Sequence, residues 1–126
     1  MSNIDLSRIV TAEQKHAAAL ESAKAGAKAE CRRRIFAVAD QITQMNMANA
    51  LLTHDAVKSR GASPEEVVAA SGLTEQDVAT VLTLQPWVAM MKQACAQIAL
   101  APGQHLNDDG LWPPAPDGLA ALAARF

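Results

Sequence analysis

The stretch CRRRIFAVADQITQMNMANALL, residues 31–52, decides how the chain is read. Cys31, Ile35, Val38, Ile42, Met45, Asn49 and Leu52 follow one another at alternating spacings of four and three residues. That 4-3 alternation is the heptad periodicity of a coiled-coil seam. Upstream the same stripe continues through Leu20, Ala23 and Ala27, with longer steps and smaller residues, so packing there is closer and weaker. No proline occurs before Pro64, and the segment is rich in Ala, Lys, Glu and Gln. Those residue types favour helix. The pattern predicts one long helix from about residue 12 to about residue 52, roughly 60 Å at the α-helical rise. Thr11 and Gln14 fit a capping box at its start. Gly26 is its weak point, costing about 1 kcal/mol relative to alanine. Thr53 can cap a short continuation to Ser59, and Gly61 supplies the stop.

The seam has two uses that the sequence leaves open. The stripe can fold against the chain's own C-terminal helices, or it can pair with another copy. Ile35, Val38, Ile42, Met45, Asn49 and Leu52 are the candidate interface residues. In a self-associating helix Asn49 would cost stability while fixing register and copy number.

Residues 63–101 read as short helices. Ser63-Pro64-Glu65-Glu66 places Ser at the N-cap, Pro at the first helical position and Glu at the third. That helix ends at Gly72. Thr74 to Asp77 begins the next, which reaches about Leu84. Pro86 lacks an N–H and clashes with a preceding turn, so it should kink the helix or begin a new one over about 86–100. Trp87, Met90, Met91, Ala94 and Ile98 form that segment's apolar face. Residues 101–118, APGQHLNDDGLWPPAPDG, hold most of the prolines and read as an extended tail. Trp112 within it is expected to dock on a groove, because a free tryptophan in a loose tail is a liability. Asp117 can cap a last short helix over 118–124.

Composition agrees with a helical fold. Hydrophobic residues make up 50% of the 126 residues but aromatic ones only 3%, so the apolar content is mostly alanine with some Leu, Val, Ile and Met. Alanine favours helix over strand and buries little area per residue. The expected fold is therefore all-α, one domain over 1–126: a long helix over 11–59, a short-helix bundle over 63–101, and a Pro-rich tail over 102–126 with a short terminal helix. Its core is thin or is completed by a partner. Residues 1–34 carry seven basic and four acidic side chains, and residues 63–126 carry two basic and seven acidic. The two ends either attract each other between copies or form ordinary solvated faces. Residues 1–10 lack a leader-like apolar run, and no membrane-length apolar stretch occurs.

No pattern proposes catalysis, a cofactor or a metal. Cys31 and Cys95 have no CxxC context and read as small buried hydrophobes. His105, Asn107, Asp108 and Asp109 before Gly110 lack the spacing and closing glutamate of a calcium loop, and read as a turn. His16 and His54 have no partners at ligand spacing. Arg32, Arg33 and Arg34 point about 100° apart on a helix, and Glu30 can pair with Arg33 or Arg34. PEEVVAASGLTEQDVATVL, residues 64–82, is similar to helix-turn-helix DNA readers, with Val68, Gly72, Leu73, Val78 and Val81 in suitable places. Its second helix offers Glu75 and Asp77 and no basic residue before Lys92, which argues against phosphate contact and favours a plain helical hairpin.

Two further stretches point elsewhere. CRRRIFAVADQITQMNMANALL (31–52) and QPWVAMMKQACAQIA (85–99) resemble small proteins encoded beside tail-fibre genes in tailed phages and prophages. LSRIVTAEQKHAAALESAKAGAKAE (6–30) is similar to the alanine-rich lead-in of tail-fibre-assembly-like proteins, and LWPPAPDGLAALAARF resembles their Trp-Pro ending. The resemblance implies a non-enzymatic protein that builds or decorates the tail tip, in the virion or in the host cytoplasm during assembly. It implies partners among copies of itself, tail fibre or baseplate proteins. The rival readings are a small DNA-binding regulator using residues 64–82 and a chaperone absent from the mature particle.

Overall fold

The computed structural model describes the backbone of residues 3–126 and the side chains of residues 11–126; the leader reading of residues 1–10 falls largely outside that range. The fold is all-α, with no strand among the described residues. The helix expected over residues 11–59 is two helices, α1 (Asn3–Val38) and α2 (Gln41–Ser59). Asp40 causes the break. It adopts extended backbone (φ −70°, ψ 176°), and its carboxylate accepts from the Thr43 amide at 2.8 Å as the N-cap of α2. Gln44 donates to the Ala39 carbonyl at 2.9 Å. The end of α1 and the start of α2 thus satisfy each other's orphan groups. Two further boundaries are corrected. α1 already passes through Thr11, so Thr11 and Gln14 are not at a helix start. Thr53 lies inside α2, where its hydroxyl donates to the Asn49 carbonyl rather than capping anything.

α1 has 36 residues. At the α-helical rise it is about 54 Å long. Residues 11–22 are exposed all round. Beyond them Ala27, Cys31, Ile35 and Ala39 recur every four residues and are buried. Small residues on this stripe let α5 (Leu84–Ala99) approach closely, and α1 packs chiefly on it. The inward face of α5 is Leu84, Trp87, Met91, Cys95 and Ile98. Met90, expected on that face, is instead exposed, and Ala94 is only partly covered. Pro86 is the third residue of α5. Within the first turn a missing N–H costs nothing, so it begins a helix rather than kinking one.

Between α2 and α5 lie α3 (Pro64–Ser71) and α4 (Glu75–Val81). Ser63 caps α3 by accepting from the Glu66 amide, and Gly72 ends it in the left-handed region (φ 75°). Thr74 and Asp77 form a reciprocal capping box on α4. Each satisfies a donor that the helix start leaves open. The Pro-rich segment then returns across the bundle through a 3-10 turn, Asp109–Leu111, to α6 (Leu119–Ala123). Asp117 does not cap α6; Gly118 (φ 80°) occupies that position with no side-chain bond. Leu119, Leu122 and Ala123 join a single apolar cluster that also holds Met47, Leu73, Val81, Trp87 and Trp112.

Candidate helix-docking surface

The six seam residues divide at Asp40. Ile35 is buried and Val38 half-buried, packed into the chain's own core. Beyond the break the same 4-3 stripe faces outward. Ile42 and Leu52 are each 69% exposed and Met45 59%. Asn49 is exposed between them. Met47 and His54 are the buried residues of α2. At about 100° per residue the four stripe residues lie opposite that buried pair. The redirection of the chain at Asp40 therefore turns one continuous sequence stripe into a core face and a surface face.

The surface face is also uncharged. Between Asp40 and Asp55 there is no Lys, Arg, Asp or Glu. Two copies of such a face can meet without like-charge contact. Each large aliphatic side chain fully removed from water there contributes about 1.5–3 kcal/mol before the cost of association.

Trp112 is separate from this face. It is buried in the chain's own structure, where its Nε1 donates to the Leu106 carbonyl at 2.9 Å. The neighbouring Trp87 Nε1 donates to the Pro113 carbonyl at 3.2 Å, so both indoles hold the Pro-rich segment. Leu106 in turn lies against Gly26, where an added Cβ would come within 3.1 Å of its Cδ1. Gly26 thus provides a close approach for the tail, a role that its low helix propensity alone does not suggest.

The arginine triplet is split by function. Arg33 and Arg34 both pair with Glu30, holding its carboxyl below the usual carboxylate range, chiefly through the Arg33 hydrogen bonds. Arg34 also reaches Asp109 at 2.9 Å. Asp108 accepts from the Gly110 amide at 2.9 Å, so the acidic loop is a turn tied to α1. Arg32 points elsewhere and is exposed. Burial pushes the Cys31 thiol up, and the adjacent Cys95 adds to that; both cysteines are free.

His54 is a buried residue whose environment the sequence does not reveal. Its Nδ1 lies 3.2 Å from Asp55, while Nε2 has no hydrogen-bond partner and sits 3.6 Å from the Glu75 carboxylate. Lys58 donates to that carboxylate at 2.8 Å and holds it below its ordinary value. The available signal is its place seven residues after Met47, on the same face of α2. No group of three metal-ligating side chains converges among the described residues.

The hairpin over residues 64–82 presents acid. Glu65, Glu66 and Glu75 are exposed, and α4 carries no Lys or Arg. Arg125 from the C-terminus donates to the Gly72 carbonyl at 2.7 Å and to Asp77 at 3.3 Å, which staples the turn against α6. No described helix is long and apolar enough to cross a membrane. Comparison with family models, with curated proteins and with solved structures finds no match to this chain.

Proposed function

We propose that the protein is a non-enzymatic phage tail structural or assembly protein that works by helix packing, with α2 of one copy seated on α2 of another or on a fibre helix. The observation that carries the packing role is the uncharged outward stripe of Ile42, Met45 and Leu52 around Asn49. A polar residue centred on an apolar stripe is the arrangement that sets register in paired helices. The tail context rests on the resemblance of residues 6–30, 31–52, 85–99 and 111–126 to tail-fibre-associated and tail-fibre-assembly-like proteins. On this reading the protein acts in the tail itself, or in the host cytoplasm while tails are built. α4 is acidic and free of Lys and Arg. Such a surface gives a DNA-reading role no support.

Sedimentation of the purified chain, with co-purification against tail fibre and baseplate proteins, tests the reading. An oligomer, or capture by a fibre protein, that is lost in a folded Ile42→Asp variant supports it. A monomer at all concentrations that binds no tail protein sinks it. Proteomics of purified virions then separates a resident component from an assembly chaperone.

A further inference from the structure

On the side of the molecule formed by α1 and α5, an open groove of about 860 Å³ runs between the two helices. Its apolar lining includes Leu20 at one end and Phe36 at the other, with Ile35, Val88 and Ala99 between the helices. Leu20 and Phe36 are sixteen positions apart on α1. The groove therefore follows the helix for about 24 Å. Leu100, 76% exposed, adds an apolar edge.

The rim is basic. Lys24, Lys28 and Arg32 stand one turn apart along α1, and Lys92 faces the groove from α5. Glu21, beside Leu20, is the one carboxylate in the described lining. None of these four cations forms a salt bridge with a carboxylate among the described residues, whereas Arg33 and Arg34 are both held by Glu30. The split of the arginine triplet thus leaves Arg32 available on the rim. An apolar groove with a row of cations at one-turn intervals is complementary to a helix with an apolar face and carboxylates one turn apart along its flank. Its length matches about four to five helical turns, and its open side admits a rod that an enclosed cavity would not.

We infer that the α1–α5 groove is a second docking site, which takes an acidic amphipathic helix of a partner protein. This site is distinct from the outward stripe on α2, and α2 reaches it only at Gln44, which is not a stripe residue. It gives the basic N-terminal part of the chain a use that ordinary solvation does not require.

The test is fluorescence anisotropy with a labelled synthetic helix of about 18 residues, long enough for the groove, bearing Leu at i, i+3, i+4, i+7 spacing and Glu on its flanks. The comparison probes are the same peptide with Lys in place of every Glu, and sodium oleate. The Glu peptide should bind with a salt-sensitive affinity about tenfold or more above that of the Lys peptide. A Lys28→Glu/Arg32→Glu variant with an unchanged urea midpoint should lose that preference, while Ile42→Asp should keep it. Equal binding of the two peptides overturns the inference, as does unchanged Glu-peptide binding by the charge-reversed variant. Displacement of the Glu peptide by one equivalent of oleate overturns it in favour of a small-amphiphile site. Loss of self-association in the charge-reversed variant overturns it in favour of a second copy.

Discussion

Arg34 stands over the ring of Trp112, 5.6 Å from guanidinium carbon to ring centroid, and joins the C-terminal part of α1 to the Pro-rich segment. The same guanidinium bonds Glu30 on its own helix and Asp109 on the tail, 75 positions away. Only 16% of the Arg34 side chain is exposed. Its bond to Glu30, itself largely covered, is therefore less screened than a surface pair, whereas its bond to the exposed Asp109 is open to solvent. The tail is held by one planar cation that satisfies two carboxylates and covers an indole, while both indole N–H groups find backbone acceptors.

Replacing Arg34 with Met keeps much of the aliphatic packing and removes the charge. The loss of its charge-assisted hydrogen bonds and cation–π contact should destabilise the fold by about 1–3 kcal/mol. Trp112→Ala, which empties a buried ring site, should cost more, about 3–5 kcal/mol. Urea midpoints of the single and double variants form a cycle. Strictly additive losses would show that the two residues do not act together.

The left-handed stop at Gly72 gives a separate prediction. Gly72→Ala imposes a Cβ on a residue at φ 75°, with open space around it, so the penalty is conformational and not steric. It should cost about 1–2 kcal/mol. Arg125 donates to the Gly72 carbonyl, so Arg125→Met should weaken the same turn while leaving the helices themselves intact. Thermal unfolding checks both, and a Gly72→Ala variant as stable as the parent would contradict the strained geometry.

Much of this architecture is legible in the sequence because local signals agree with it. Ser63-Pro64, Gly72 and Thr74 to Asp77 each mark a boundary by side-chain chemistry that works within a few residues. The break at Asp40 is not legible, because it competes with a stronger signal. An unbroken 4-3 stripe runs through it, and Asp40 declares itself as a cap only through its extended backbone and its bond to the Thr43 amide. The two faces of the stripe are therefore visible as one pattern, but their opposite destinations are not. The α1–α5 groove is hidden for a related reason. Lys24, Lys28 and Arg32 have legible spacing, yet the apolar partner surface comes from Val88 and Ala99, far along the chain. The sequence misplaces Met90 because neighbouring Met90 and Met91 both fit an apolar face of broad width, and only one can point inward.

Acid should weaken the fold in a defined direction. The Thr43 amide holds the Asp40 carboxyl below its ordinary value, the Thr74 amide does so for Asp77, and Arg33 does so for Glu30. Groups whose pKa is lowered by folding stabilise the native state fully above the unfolded carboxylate range, near about pH 4, and lose that contribution as pH falls through the folded values. Urea midpoints should thus be flat above about pH 5 and fall below about pH 4. Asp40→Asn, which keeps a capping side chain, should retain the neutral-pH midpoint better than Asp40→Ala and should reduce the acid dependence. A midpoint that holds steady down to about pH 2.5 would remove these carboxylates from the account of stability.

The outward stripe of α2 makes the sharpest functional prediction, because its residues contribute little to the fold of a single chain. Ile42→Asp and Leu52→Asp change side chains that are each 69% exposed. Each variant should therefore keep its stability to within about 0.5 kcal/mol of the parent. If α2 pairs with another helix, both should lower the solution mass or abolish fibre capture. Asn49→Leu separates pairing from mere exposure. An unsatisfied or water-bridged amide on a helix seam costs stability while restricting register, so its replacement by leucine should tighten association and broaden the distribution of oligomers. Sedimentation velocity reads both effects in one experiment. If Asn49→Leu leaves mass and dissociation unchanged while Ile42→Asp dissociates the assembly, the contact uses the N-terminal end of α2 alone. If neither variant alters the mass of an oligomer, the copies meet on a different face of the molecule.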